Sequence, residues 1–233
     1  MAIGGGKKGA AAEAEENVFW TTMSDLMLGI AIVFMTLFVL AMTGFTQETV
    51  KIQESQMKAS EELAEKLQKA NIDAEVDKLT GNVKISELQL FELNSYKLTP
   101  KGKEYLDKFI PIYIDTIYSK EVLAKGITNI VIQGHTDSQS FIGLKTIEEQ
   151  YAKNMELSLL RANAVAQHAF KTNFDRKHSE KLRKMLVVEG RSFSEPIIID
   201  GKEDYAKSRR VEMKVRVKAQ SFAKILGLNY GGD

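Results

Sequence analysis

Asn129-Ile130-Val131-Ile132-Gln133-Gly134-His135-Thr136-Asp137 begins as a run of β-branched and apolar residues and ends in a polar loop. That pattern predicts a buried strand, with Asp137 just beyond its end, where an open sheet presents ligand-binding groups. Downstream, residues 154–170 predict a helix whose core side is Met155, Leu159, Ala162, Ala166 and Ala169, stepping by 4, 3, 4 and 3. Residues 184–190 read as a second buried strand. In 211–217, Val211, Met213, Val215 and Val217 alternate with charged residues, as in a strand with one wet face. Upstream, Thr99-Pro100-Lys101-Gly102 opens a helix, with Thr99 as cap and Pro100 in the first turn. Tyr105, Phe109, Ile112 and Ile117 give it an apolar side. Residues 83–91 read as a strand and a hairpin-like turn. The resulting βαβαββ order belongs to the α+β class, with helices covering one face of a sheet. Thr80-Gly81-Asn82 is a breaker, so the domain is expected over 81–220, with 221–233 as a C-terminal tail.

Residues 47–80 predict a polar helix. Ala59, Leu63, Leu67 and Ala70, then Ile72, Val76 and Leu79, form a narrow apolar stripe. Glu62 with Lys66 and Glu65 with Lys69 are favourable i,i+4 pairs, whereas Glu61 with Glu65 is repulsive. So thin a stripe suits a self-associating stalk or a solvated linker better than a globular core.

Residues 18–46 are of another kind. Phe19-Trp20-Thr21-Thr22-Met23-Ser24-Asp25-Leu26-Met27 leads into a run, 26–45, that carries no charge. At about 1.5 Å per residue, about 20 such residues cross a hydrocarbon core of roughly 30 Å. Phe19 and Trp20 suit the interfacial aromatic belt, which sets Asp25 about 7 Å inside the membrane. A carboxylate at mid-helix costs roughly 2.5–3.5 kcal/mol, less near an interface, and the Leu, Ile, Phe and Val residues offset it. Asp25 is therefore a candidate intramembrane ion-binding carboxylate. The plainer alternatives are a helix-entry residue, a signal peptide and a buried helix of a soluble protein. The charge-free length, Asp25 and the lack of an A-x-A-like site weigh against the last two.

Residues 1–17, small and with Lys7 and Lys8, read as a flexible leader. A short leader before one span suits a cytoplasmic N-terminus, with the bulk of the chain across the membrane. The 233 residues carry 32 basic and 31 acidic side chains, a net charge of +1, so nothing suggests bulk nucleic-acid binding. Without cysteine there are no disulfides or thiolate metal sites. His135, His168 and His178 lack ligand spacing, so neither a metal nor a cofactor is expected. No Ser-His-Asp arrangement with local support and no paired carboxylates point to an enzyme.

A second constellation lies on the 154–170 helix. Asn154, Ser158 and Arg161 fall in one row, away from the core side. With Asp137 they can hold a zwitterion, Asp137 taking an ammonium and Arg161 forking onto a carboxylate. The alternative is structural: Asn154 caps the helix, and Asp137 pairs with Arg161 to brace the fold.

Gly134-His135-Thr136-Asp137, Asn154-x-x-Leu157-Ser158-x-x-Arg161-Ala162, Glu189-Gly190 with Glu195-Pro196, and Arg209-Arg210-Val211-Glu212 together resemble the OmpA-like peptidoglycan-binding domain, over about 82–218. The resemblance implies that Asp137 and Arg161 hold the diaminopimelate of a stem peptide, with Thr136, Asn154, Leu157 and Ser158 around them and Arg209 at the border. One departure is the long 138–153 loop, whose Phe141, Leu144, Ile147 and Tyr151 are placed to cover the pocket or alter its ligand. Behind a single helix bearing Phe-Trp and Asp-Leu-Met, such a domain resembles the B subunits of ion-driven rotary stators, the MotB-like family. Within it the chain is most similar to the ZorB membrane subunits of Zorya anti-phage defence systems, with a flagellar stator subunit or a non-conducting wall tether as alternatives. The resemblance implies a single-pass bacterial inner-membrane protein with a periplasmic C-terminal domain. Two copies would sit in membrane lipid within a ring of multi-span A subunits, with Asp25 carrying the ion, H⁺ rather than Na⁺. By analogy, residues 47–59 are a candidate plug.

Overall fold

The computed structural model describes residues 6–92, 94–139 and 141–217, and for residues 6–16 and 45–49 the backbone alone. The expected 221–233 tail lies outside the described residues. In chain order the elements are α1 (Gly6–Lys69), β1 (Glu75–Val76), β2 (Val83–Ser86), α2 (Glu87–Leu90), α3 (Pro100–Ser119), α4 (Glu121–Gly126) and β3 (Ile127–His135). There follow α5 (Ile147–Ala169), α6 (Ser179–Met185), β4 (Leu186–Gly190), β5 (Ile198–Ile199), β6 (Lys202–Glu203), α7 (Tyr205–Ser208) and β7 (Arg210–Val217). The chain divides into two compact units. Among the described residues, one is 6–49 and the other begins at Val50 and runs to residue 217.

In the first unit α1 carries the apolar span Asn17–Gly44, 28 residues and long enough to cross a membrane. Residues 6–17, expected as a flexible leader, are helical. Thr36 Oγ1 donates to Ile32 O at 3.0 Å and Thr43 Oγ1 to Val39 O at 3.0 Å. These two hydroxyls are thus satisfied by their own helix, as an apolar medium requires.

The second unit begins at Val50, not at the expected boundary near residue 80. Ala59, Leu63 and Leu67 do not form a free stalk; they are buried in one core with Leu106, Phe109, Tyr113 and Ile114. Glu62 ties this stretch down by accepting from Lys120 at 2.6 Å and Lys66 at 2.7 Å. The helix stops at Lys69 because Asn71 turns left-handed (φ 54°) and Ile72 N–H returns to Leu67 O at 2.9 Å. This is a Schellman closure with its Ile72–Leu67 apolar partners buried. Val76 consequently falls in β1, and Leu79 is exposed. The breaker is real but local, since Gly81 (φ 70°) makes the turn between β1 and β2. Replacing Leu63 by Ala should lower the stability of a fragment of residues 50–219 by about 2–5 kcal/mol. Urea unfolding measures it, and an unchanged midpoint would return the stripe to the role of a free stalk.

The five-stranded sheet runs β1-β2-β7-β3-β4. Only β3 and β4 pair in parallel, through the α5 crossover, and the other pairs are antiparallel. Residues 83–91, expected as strand and turn, form β2 and then α2. Thr99 caps α3 as expected, its hydroxyl accepting from Gly102 N at 2.9 Å. Ala162, Val165, Ala166 and Ala169 are the buried side of α5, while Leu159, expected there, is 44% exposed. Two glycines account for this packing. A Cβ on Gly134 would lie 2.0 Å from Ser158 O, and one on Gly190 would lie 2.9 Å from Met155 O. The α5 backbone therefore rests directly on β3 and β4, where a large side chain has no room.

Candidate functional site

The helix that carries the site starts earlier than its periodicity predicts. Thr146 accepts from Glu149 N, and the Glu149 carboxylate reaches back to Thr146 N, a capping box that opens α5 at Ile147. Asn154 is therefore two turns inside the helix, where its amide donates to Gln150 O at 3.0 Å. It is not a cap. Asn154, Leu157 and Arg161 then share a face, and they line a cavity of about 460 Å³ with Thr136, Asp137 and Arg209. Six of the seven expected wall-binding residues are thus brought together. Ser158 is not among them. It is fully buried, donating to Met155 O at 2.9 Å and accepting from Ser192 N at 3.1 Å, which joins α5 to the loop after β4.

Asp137 and Arg161 do not pair with each other. Arg161 is 2% exposed and forks onto Glu87, with Nη1 at 3.0 Å from Oε2 and Nη2 at 2.6 Å from Oε1. Its Nε donates to Ser95 O at 2.8 Å, and its Cζ lies 5.7 Å from the Phe91 ring centroid. Arg209 Nη1 donates to Asp137 Oδ2, and Arg209 Nε lies 3.4 Å from Glu87 Oε2. The groups form one chain, Asp137–Arg209–Glu87–Arg161, with two carboxylates balancing two guanidiniums.

Glu87 holds this chain together, and its role was not read from the sequence. The available signal was an acid within the apolar surroundings of Ile85, Leu88, Leu90 and Phe91. Burial pushes the Glu87 carboxyl up, opposed by the Arg161 and Arg209 charges. Burial likewise pulls Arg161 down, against the Glu87 charge. Toward the cavity, Thr136 Oγ1 is buried without a hydrogen-bond partner among the described residues. Asn94, Gln139, Phe141 and Ile142 complete the lining. The long loop thus contributes Phe141 to the wall, although of its four apolar residues Leu144, Ile147 and Tyr151 are not in the lining. Gln150 pins the loop, its Oε1 accepting from Phe141 N at 2.7 Å and its Nε2 donating to Leu144 O at 3.3 Å.

His135 stands apart from the site. Because Gly134 meets α5, the alternation of the strand turns His135 to the opposite face, beside Glu212. Burial and the Arg210 charge push it down to about 4, so it is neutral at physiological pH. Asp25 lies on the exposed surface of α1 with no ion pair among the described residues.

No protein-family model matches the chain. Among curated proteins, the Zorya protein ZorB of Escherichia coli strain Crooks is 34% identical over 219 residues, covering 88% of this chain and 91% of that one. The chain belongs to the ZorB family. A second ZorB, from Escherichia coli O139:H28, is 24% identical over 225 residues, covering 91% of this chain and 85% of that one. Among solved structures, a MotB-like protein from Desulfovibrio vulgaris matches with a TM-score of 0.50 and 19% identity, over 73% of this chain and 96% of that one. It shares the fold of this ZorB-family chain.

Proposed function

We propose that this ZorB-family chain is the wall-anchored B subunit of an ion-driven inner-membrane motor serving anti-phage defence. The observation that carries the anchoring role is the cavity in which Asp137 and Arg209 face a common space. Asp137 uses one oxygen for Arg209, and it lines the cavity together with Thr136, whose hydroxyl has no partner among the described residues, a pair suited to receive an ammonium. Arg161 is held by Glu87 and Ser95, so the ligand carboxylate falls to Arg209, the more exposed of the two arginines. An ammonium and a carboxylate on one carbon are what the diamino acid of a peptidoglycan stem peptide offers.

The apolar span supports a single-pass chain with its N-terminus in the cytoplasm and the β-sheet domain in the periplasm. Asp25 is the ion-carrying group, exchanging protons against a multi-span A-type partner around a dimer of this chain. The wall-bound domain takes up the reaction torque. No step of this scheme needs a metal, a cofactor or catalysis by the chain. The anchoring role is tested by sedimentation of the full-length protein with purified peptidoglycan sacculi. Asp137→Asn should weaken binding at least about tenfold, since it removes the charged acceptor for the ligand ammonium and leaves Arg209 with Glu87 alone as its counter-charge. Unchanged binding of this variant would overturn the assignment.

A further inference from the structure

One turn along α5 from the first cavity lies a second, of about 420 Å³, lined by Lys97, Lys103 and Lys171 together with Tyr96, Leu160 and Asn163. No carboxylate is in its lining. None of the three lysines is in an ion pair among the described residues. Elsewhere on this unit the pattern is different: Lys108, Lys125 and Lys184 each hold an acid one helical turn away, at 2.9, 2.6 and 2.8 Å. The two acids that follow Lys103 on α3 are already engaged. Asp107 is held by His168 Nε2 at 2.8 Å, and Glu104 by Lys108. Three exposed like charges around one concavity, with no carboxylate in its lining, leave a positive field that favours an incoming anion.

The two cavities share a wall. Asn94 lines the first and Tyr96 the second, and the residue between them, Ser95, is fixed by its carbonyl to Arg161 Nε. On α5, Arg161 lines the first and its neighbour Leu160 the second. A polymer seated on Asp137 and Arg209 therefore continues across Ser95 into the lysine-lined cavity. Resting on the wall-binding function above, we propose that this cavity is a second subsite, which takes free carboxylates of the same wall polymer beyond the diamino acid. Tyr96 and Leu160 offer apolar contact to the peptide between the two charged groups.

The test uses full-length protein and two probes, purified sacculi and the same sacculi after chemical amidation of their carboxyl groups. Lys97→Gln/Lys103→Gln/Lys171→Gln should bind native sacculi about tenfold more weakly than wild type, with a shallower salt dependence. Amidation should cost wild type more than it costs the triple variant. If Asp137→Asn loses binding while the triple variant binds like wild type, the subsite is overturned and the wall anchor stands. If Asp137→Asn binds like wild type, the wall-binding assignment fails, and the subsite fails with it. If the triple variant loses binding only to phosphatidylglycerol vesicles and not to sacculi, the lysines serve a lipid surface, and the proposal is overturned.

Discussion

Asp25→Asn is expected to abolish phage protection, returning plating efficiency to that of cells without the system, while the chain still inserts and co-purifies with its partner. Asn has nearly the shape of Asp and a smaller insertion cost, so the span keeps its length and apolar faces. What disappears is the one group within the span that can gain and lose a proton. Thr36 and Thr43 bond back to their own helix and offer no substitute. Asp25→Glu, which keeps the titrating group on a longer arm, should restore part of the activity. Full protection by the Asn variant would sink the ion-carrying role and leave a tether.

Glu87→Ala should destabilise the domain by about 3–5 kcal/mol. Arg161 is 2% exposed, so removing its partner leaves a buried guanidinium without a counter-charge. Glu87→Gln should cost less, because one acceptor survives. The informative variant is the double replacement Glu87→Leu/Arg161→Met. A buried pair exchanged for apolar residues of similar volume is often neutral in stability, so urea unfolding of residues 50–219 should recover most of the loss. Sacculus binding should remain impaired, because Arg209 loses the Glu87 carboxylate 3.4 Å from its Nε. A double variant that unfolds like Glu87→Ala would show that packing, not charge compensation, dominates at this position.

Some of this was legible in local patterns. The alternation of 211–217, the cap at Thr99 and the β-branched run before Gly134 report local periodicity and local hydrogen bonding, which a chain carries in its own residue order. The fold class followed from them. The end of α1 was less accessible. Its stripe continues past Lys69, and only the left-handed Asn71 with the return bond from Ile72 stops it. The same stripe looked too thin for a core because its partners on α3 lie about 40 residues further along the chain.

The sequence by itself determined that an apolar span bearing Asp25 precedes an α+β domain, and it grouped Thr136, Asp137, Asn154, Leu157, Arg161 and Arg209, which line one cavity. Residue type, spacing and resemblance suffice for that. Which charge meets which was decided by tertiary structure alone. Arg161 turns to Glu87, 74 positions away, and Asp137 to Arg209, 72 positions away. These pairs form because β2, β3, α5 and the start of β7 converge at one end of the sheet, where burial requires every charge to find a partner. Ser158 was drawn out of the site by the same packing, since the close approach of α5 to Gly134 and Gly190 directs its hydroxyl to Ser192.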